Sequence, residues 1–417
     1  MLTLTYEFKL IPDQRQIKVI ENTLDVCRSV WNFALRERKD WLSSRQCSVN
    51  ACSLEKEYII PADTPYPNYH VQAKHLTEAK KNSERLKSVN AQVLQQVLRT
   101  LDRALADMRS KKLGFPRFKN KYRMRSFLYP QMLANCVQGN QIKLPQLGWI
   151  KFRKSREIPE GFEIKQARIV RRASGYFVML SMQLDVNIPH VPFHGHPLGI
   201  DFGLSKFLAT SDGELVERPR FLNRLHRELK LLQRRLRNKK KSSNNRHKLN
   251  QKIARLHQRI SDTRKDWHFK LAHHICDQAQ SIFIEDIDFR SWGRGMLSKD
   301  CLDTDFGQFI SILKWVGWKR DVFVAEVDKN YTSQICPNCG SLTGRKTLDV
   351  REHNCPECGY KTHRDVAAAQ VIRNRGLENT LGHGVSENAC GDDLTGAWPS
   401  QESVKQEILN ASLRTAR

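Results

Sequence analysis

Apolar and polar residues alternate along "LTLTYEFKL", the two-residue period of a strand with one buried face, and the pattern stops at Pro12. The period then lengthens. "QRQIKVIENTLDVCRSVWNFALRER" spaces its apolar positions by three and four, and "VNAQVLQQVLRTLDRALADMRSK" does so through Val93, Val97, Leu101, Leu105 and Met108. Both predict amphipathic helices. The stretch near "PADTPYPN" is expected as the loop between them. From about Arg125 the short period returns in "NQIKLPQLGWIKFR" and "ARIVRRASGYFVMLSMQLDV", the second divided at Ser174-Gly175 into a hairpin. The first half thus reads as one β module, opened by the N-terminal strand and interrupted by a helical insertion.

Pro189, Pro192 and Pro197 mark a boundary. Beyond it "PLGIDFGLSKFLATSDGE" reads as strand, turn, strand. A charged helical region covers residues 218–280 and is broken at "NKKKSSNN". A buried strand, "SIFIEDID", an amphipathic helix, "TDFGQFISILKWVGWKR", and a further strand, "DVFVAEVD", follow. Strands alternating with helices in this order predict a mixed α/β core, and 417 residues are enough for two or three domains. No repeat of fixed period is present.

Charge adds a partner to this outline. The formal net charge is +26, an excess that points to a polyanion, most simply nucleic acid. Residues 376–417 hold six acids against three bases, leaving +29 on the remainder, so this tail is expected to be disordered and outside the polyanion-binding surface. No stretch approaches the roughly 18 apolar residues of a membrane span, and the start has no signal-peptide pattern. Of eleven cysteines, four form two CxxC pairs, the usage of a metal site in a reducing compartment rather than a disulfide framework. An intracellular, cytoplasmic protein is expected.

The pairs are Cys336-Pro-Asn-Cys339 and Cys355-Pro-Glu-Cys358, 15 residues apart, each followed by glycine, Gly340 and Gly359. A CxxC turn aims two thiolates at one ion, and two turns complete a tetrahedral set suited to structural zinc. Four thiolates leave no open position for catalysis. His353 and His363 lie close by without being needed.

Three carboxylates form the second constellation. Asp201 ends the apolar strand "LGIDFG", Glu285 ends "SIFI", and Asp365 opens the alanine-rich helix after the second CxxC. A charge at the end of an apolar strand is costly unless paired or bound to a cation. Together the three would make an oxygen site for Mg²⁺. Each has a plainer alternative: Asp201 as a turn cap, Glu285 as an edge charge with Asp286 and Asp288 as competitors, Asp365 as a helix cap. Their order, strand acid, strand acid, helix acid, is that of RNase H-like nucleases, which cleave phosphodiesters with two metal ions.

These motifs, with "YEFKLIPDQRQ", "CRSVWNFAL", "GFPRFKNK", "IEDI", "YTSQICPNCG" and "CGYKTHRDVAAAQVI", resemble the TnpB family of transposon-encoded RNA-guided nucleases, relatives of compact type V CRISPR effectors. The resemblance spans residues 6–372 in the family's order. It implies a multidomain α/β protein: a wedge β-barrel over 1–12 and 125–192, a helical recognition insertion over 13–124, and an RNase H-like (RuvC) domain over 193–329 and 363–375. The zinc ribbon, 330–362, is an insert in that last domain. It further implies a guide RNA, a double-stranded DNA target with a short flanking motif, and catalysis by Asp201, Glu285 and Asp365 with two Mg²⁺ ions. His363 and Ala367 stand where the family often has an acid and an asparagine. Two basic segments are expected to contact nucleic acid: Arg117, Lys119 and Lys121 among interleaved aromatics, and Lys239, Lys240 and Lys241 in a helical hairpin, unless these charges merely face solvent. Competing readings are a guide-directed DNA binder that does not cut, a zinc-ribbon DNA-binding accessory protein, and a transposase acting without RNA.

Overall fold

The computed structural model describes residues 2–46, 60–186 and 191–381, apart from positions 62, 112, 242, 294, 296 and 348. The described residues form two compact units, the first ending at residue 186 and the second beginning at 191. Among them no helix is long and apolar enough to cross a membrane.

The first unit runs β1 (Leu2–Ile11), α1 (Gln14–Gln46), α2 (Tyr69–Asn82), α3 (Glu84–Lys87), α4 (Ala91–Ser110), β2 (Ser126–Tyr129), β3 (Val137–Gln138), β4 (Gln141–Leu144), β5 (Gly148–Arg153), β6 (Glu163–Arg172) and β7 (Gly175–Leu184). All strand pairs are antiparallel, in the order β2-β6-β7-β1-β5-β4-β3. The order ends at β2 and β3, so hydrogen bonding among the described strands does not close a ring. The N-terminal strand lies inside the sheet: β1 pairs with β7 from Leu2↔Leu184 to Lys9↔Phe177 and with β5 from Lys9↔Arg153 to Ile11↔Lys151. Its alternation buries Phe8 against Phe152, with ring centroids 5.1 Å apart. The helical stripe Val93, Val97, Leu101 and Leu105 is buried in the same core as that sheet, with Met108 packed at its margin. The hairpin turn falls at Ala173-Ser174, one residue before the expected position, because Gly175 already pairs with Arg172.

The second unit runs β8 (Pro197–Phe202), β9 (Lys206–Thr210), β10 (Leu215–Glu217), α5 (Phe221–Arg237), α6 (Asn244–Gln278), β11 (Ser281–Glu285), α7 (Phe289–Trp292), α8 (Ser298–Thr304), α9 (Phe306–Lys319), β12 (Phe323–Val327), β13 (Glu352–Asn354), β14 (Lys361–His363) and α10 (Arg364–Leu381). Its sheet has the order β10-β9-β8-β11-β12, antiparallel from β10 to β8 and parallel from β8 to β12. β11 is buried along its whole length, as a parallel strand covered on both faces must be. Ile282 and Ile284 join the core with Leu271 and Ile275 of α6 and Leu313 of α9, whereas Phe283 faces the other way, towards Ile372 of α10.

Two glycines let α10 lie close to the sheet. A Cβ on Gly199 of β8 would come within 2.0 Å of the Ala369 carbonyl oxygen, and one on Gly376 within 2.1 Å of the Phe283 ring. The second contact corrects the expected start of a disordered tail. Gly376 looks locally like a helix end, yet the helix continues through it to Leu381, because the missing side chain makes room for Phe283. Leu377 packs on the same cluster. Residues 382–417 of that expected tail lie outside the described residues.

Candidate active site and metal centre

The four CxxC cysteines come together on two matching turns. Gly340 N–H donates to the Cys336 carbonyl at 2.9 Å and Gly359 N–H to that of Cys355 at 3.0 Å, with φ of +74° and +70° that favour glycine. The amides of Asn338 and Cys339 point at the Cys336 sulfur, and those of Glu357 and Cys358 at the Cys355 sulfur. Cys336 Sγ lies 3.7 Å from Cys358 Sγ, and Cys339 Sγ lies 3.6 Å from Cys355 Sγ. The edge of a tetrahedron with metal–sulfur bonds of 2.3 Å is about 3.8 Å, so the sulfurs are already spaced for one ion. Burial pushes Cys336 up to about 11, while the Ser341 hydroxyl, ahead of the knuckle amides, holds Cys355 down to about 6. A structural metal such as zinc fits this all-sulfur set. Nearby, Lys346 Nζ lies 2.6 Å from His353 Nδ1, outside the thiol set.

The three carboxylates gather elsewhere in the same unit. β8 and β11 are neighbours, with Ile200 opposite Ile284, so Asp201 and Glu285 leave the two strands side by side. Asp365 sits in the first turn of α10, which crosses β8 at Gly199. The charges feel one another. Burial, then the Glu285 charge, then the Asp365 charge push Asp201 well above the usual carboxylate range, against the pull of Arg364. Burial also raises Glu285, opposed by a hydrogen bond from Thr332 and by the charges of Arg375 and Lys329. Glu285 is 6% exposed, while Asp286 and Asp288 point outward into solvent. Oxygen-only donors crowded with like charge suit a hard divalent cation, which would relieve their repulsion. They stand wider apart than the thiols: among the described residues only the cysteines have ligand atoms all within 4.8 Å of one another.

Ribbon and acids are joined through α10. Tyr360 Oη donates to Gln370 at 3.0 Å, Asn374 donates to the Pro337 carbonyl at 2.9 Å, and Arg375 to that of Asp328 at 2.7 Å. His363 Nδ1 accepts the Asp365 N–H at 3.2 Å, and Ala367 is buried on the packed face of the helix. Sequence reasoning missed Thr332, Arg364 and the Gly199 crossing. Thr332 lay within the "YTSQICPNCG" motif, but its partner is 47 residues away.

The basic residues divide. Arg117 and Lys121 are exposed in the irregular segment after α4, beside exposed Phe115 and Phe118. Trp31 Nε1 donates to the Arg117 carbonyl at 3.1 Å, and Asn32 pins the Lys119 backbone with two bonds of 2.8 Å. Lys119 differs from its two neighbours: its ammonium lies 3.5 Å from the centroid of the Trp31 ring, and burial lowers its pKa. Lys239, Lys240 and Lys241 are exposed at the turn between α5 and α6, where Arg246 donates to the Leu236 carbonyl at 2.8 Å.

Parts of the chain match known family models and relatives. Residues 181–292 match a family model described as "Probable transposase", residues 306–372 one described as "Cas12f1-like, TNB domain", and residues 1–47 one described as "Helix-turn-helix domain", although Gln14–Gln46 is a single helix. A Streptomyces pristinaespiralis protein named as an RNA-guided DNA endonuclease is 30% identical, covering 98% of this chain and 96% of its own. One from Escherichia coli (strain K12), named as the RNA-guided DNA endonuclease InsQ, is 28% identical over 97% and 98% of the two chains. A solved Cas12f1-sgRNA-target DNA complex is 17% identical, covering 90% of this chain and 100% of the other, with a TM-score of 0.33, a superposition too loose to bear on the fold. The chain belongs to the TnpB family.

Proposed function

We propose that this protein is an RNA-guided DNA endonuclease that hydrolyses phosphodiester bonds with divalent cations held by Asp201, Glu285 and Asp365. The observation that carries the reading is the gathering of three carboxylates, from β8, β11 and the first turn of α10, at one place in the fold, where burial and then the charges of Glu285 and Asp365 raise the pKa of Asp201. Acids that served as caps or edge charges would have no reason to be brought within reach of one another's charge. The sheet order, three antiparallel strands continued by two parallel ones with acids at the ends of β8 and β11, supports an RNase H-like (RuvC) domain over 193–329 and 363–375, extended at least to Leu381. The first unit then supplies the helical insertion (13–124) and, through residue 186, the wedge domain (1–12 and 125–192), and residues 330–362 supply the zinc ribbon.

When bound, two Mg²⁺ ions would stabilise the attacking and leaving oxygens of an in-line displacement. The chain's part is to hold its carboxylates on rigid strand and helix ends, with Arg364 and Arg375 offsetting part of the local negative charge. Exposed Arg117, Lys121 and the Lys239–Lys241 turn supply phosphate contacts to guide RNA and target DNA, and Phe115 and Phe118 supply faces for base stacking. A short motif flanking the target would be read by the protein, and the remaining sequence by base pairing. Four reduced thiols suit a cytoplasmic setting.

The test is to sequence the RNA that copurifies with the protein, programme it against a DNA target and add Mg²⁺. Guided cutting is expected. A wild-type complex that binds its guided target and never cuts with Mg²⁺ or Mn²⁺ would instead identify a guide-directed binder.

A further inference from the structure

We infer that Thr332 is a positioning residue for Glu285, and that through it the cysteine ribbon sets how well the acid cluster takes up a divalent cation. The inference rests on the reading of Asp201, Glu285 and Asp365 as one cation site. Thr332 Oγ1 lies 2.5 Å from Glu285 Oε1, and each residue is only 6% exposed. An ionised carboxylate can only accept, so the threonine donates, at the short end of the range for a hydroxyl bound to a carboxylate. The other acceptor near that hydroxyl, the Lys329 carbonyl, is farther away at 3.3 Å. Among the described residues Thr332 makes the one side-chain hydrogen bond to the Glu285 carboxylate.

The threonine is itself held by the ribbon. Its loop leaves β12 at Val327, whose strand pairs Val327 with Glu285, and enters the first knuckle at Cys336. Between them Tyr331 takes a left-handed φ of +62°, and its carbonyl accepts the N–H groups of Gln334 at 2.9 Å and Ile335 at 3.2 Å. Ile335 is bridged to Leu342 across the knuckle. The Thr332 backbone is therefore fixed on one side by the strand beside Glu285 and on the other by the thiol cluster. A β-branched side chain on so constrained a backbone has little χ1 freedom, and it transfers that restraint to a glutamate with three rotatable bonds. A carboxylate fixed in orientation binds a cation better than one free to turn, which is the general effect of outer partners on metal ligands.

The experiment uses the full chain bound to its copurifying RNA, with Fe²⁺ as the probe in ascorbate and peroxide, where a bound iron cuts nearby backbone through hydroxyl radicals. Wild type should give fragments ending near residues 201 and 285. Thr332→Val, which keeps the shape and loses the hydroxyl, should raise the Fe²⁺ concentration for half-maximal fragmentation by about 10- to 100-fold. It should also raise the Mg²⁺ needed for half-maximal DNA cutting by the same factor, and its ribbon metal should be retained. Thr332→Ser should return both to within about threefold of wild type, since it restores the donor. Thr343→Val, which removes a ribbon hydroxyl that donates to the Gln334 carbonyl at 2.9 Å, should change neither. The inference is overturned if Thr332→Val takes up Fe²⁺ like wild type while Glu285→Gln does not, or if Thr332→Val loses the ribbon metal. If Glu285→Gln also fragments normally, the cation-site reading falls with it.

Discussion

The paired charges of the first unit and the acid cluster of the second treat inward charge in opposite ways. In the first, Arg38 is 1% exposed, and its guanidinium meets Asp102 at 2.9 Å and Gln72 at 2.9 Å. On the sheet Arg172 pairs with Glu7 at 2.5 Å, while Glu21 takes Arg171 and the Tyr176 hydroxyl. Each of these three arginines has a carboxylate beside it. In the second unit Asp201 and Glu285 leave adjacent strands together and Asp365 joins them, like against like. A fold that only needed stability would not assemble three mutually repelling acids. The contrast separates charges that serve the fold from charges that await a cation.

The largest expected difference between the units is dependence on metal. Elemental analysis should find about one zinc per chain, and apparent zinc binding in such sites is worth on the order of 10 kcal/mol at neutral pH. A chelator, or Cys336→Ser, should expose the chain around residues 330–362 to proteolysis while the first unit stays resistant. A well-folded, active preparation without metal would remove this distinction. Chemistry comes next. Asp201→Ala, Glu285→Ala and Asp365→Ala should each lower guided cutting at least about a thousandfold, and doubles should be no worse than singles, because the three act as one unit. Guided DNA binding, spread over many backbone contacts, should change little. If Asp286→Ala stopped cutting and Glu285→Ala did not, the ligand would be the exposed neighbour rather than the buried acid.

Thermal unfolding without added Mg²⁺, the ribbon metal retained, tests the contrast directly. Arg38→Ala should destabilise the first unit by about 3 kcal/mol, because it empties the space of a fully buried side chain and leaves buried Gln72 without its donor. Asp201→Asn should do the opposite in the second. The folded-state pKa of Asp201 lies above its unfolded value, so this carboxyl costs stability once pH exceeds the unfolded pKa, and the penalty grows as pH rises from there towards the raised folded pKa. Removing it should raise the melting temperature by about 2–4 °C, equivalent to about 1 kcal/mol in a unit of this size. A lower melting temperature for Asp201→Asn would mean that its carboxylate is structural.

What was legible in the sequence follows from how locally each feature is determined. The stripe Val93, Val97, Leu101 and Leu105 is written in a single helix period, and its burial follows. The acids at the ends of "LGID" and "SIFIE" stand out because apolar strands rarely end in charge, and the cysteines because their spacing is itself the ligand geometry. Contacts between distant segments were not legible. Gly376 carries the local sign of a helix end, and only the Phe283 ring beside it explains why the helix goes on. A threonine four residues before a cysteine says nothing of a glutamate 47 residues upstream.

Lys119 is the same lesson in a basic segment, and it gives the smallest expected effect. Sequence places Arg117, Lys119 and Lys121 in one run of cations, but the structure exposes the first and last and stacks the middle one on Trp31 at 3.5 Å. A cation that neutralises a phosphate releases a counterion, so its loss lowers the salt dependence of binding by about 0.7–0.9 in log–log slope. Arg117→Gln and Lys121→Gln should each flatten the slope by that amount and weaken RNA affinity less than tenfold at moderate salt. Lys119→Gln should leave the slope alone, since its ammonium lies against the indole rather than out where a phosphate would sit, and should instead loosen the segment by about 1 kcal/mol, the worth of a partly desolvated cation–π contact. Equal slopes for all three variants would return Lys119 to the phosphate-binding set and make the Trp31 contact one that opens when nucleic acid binds.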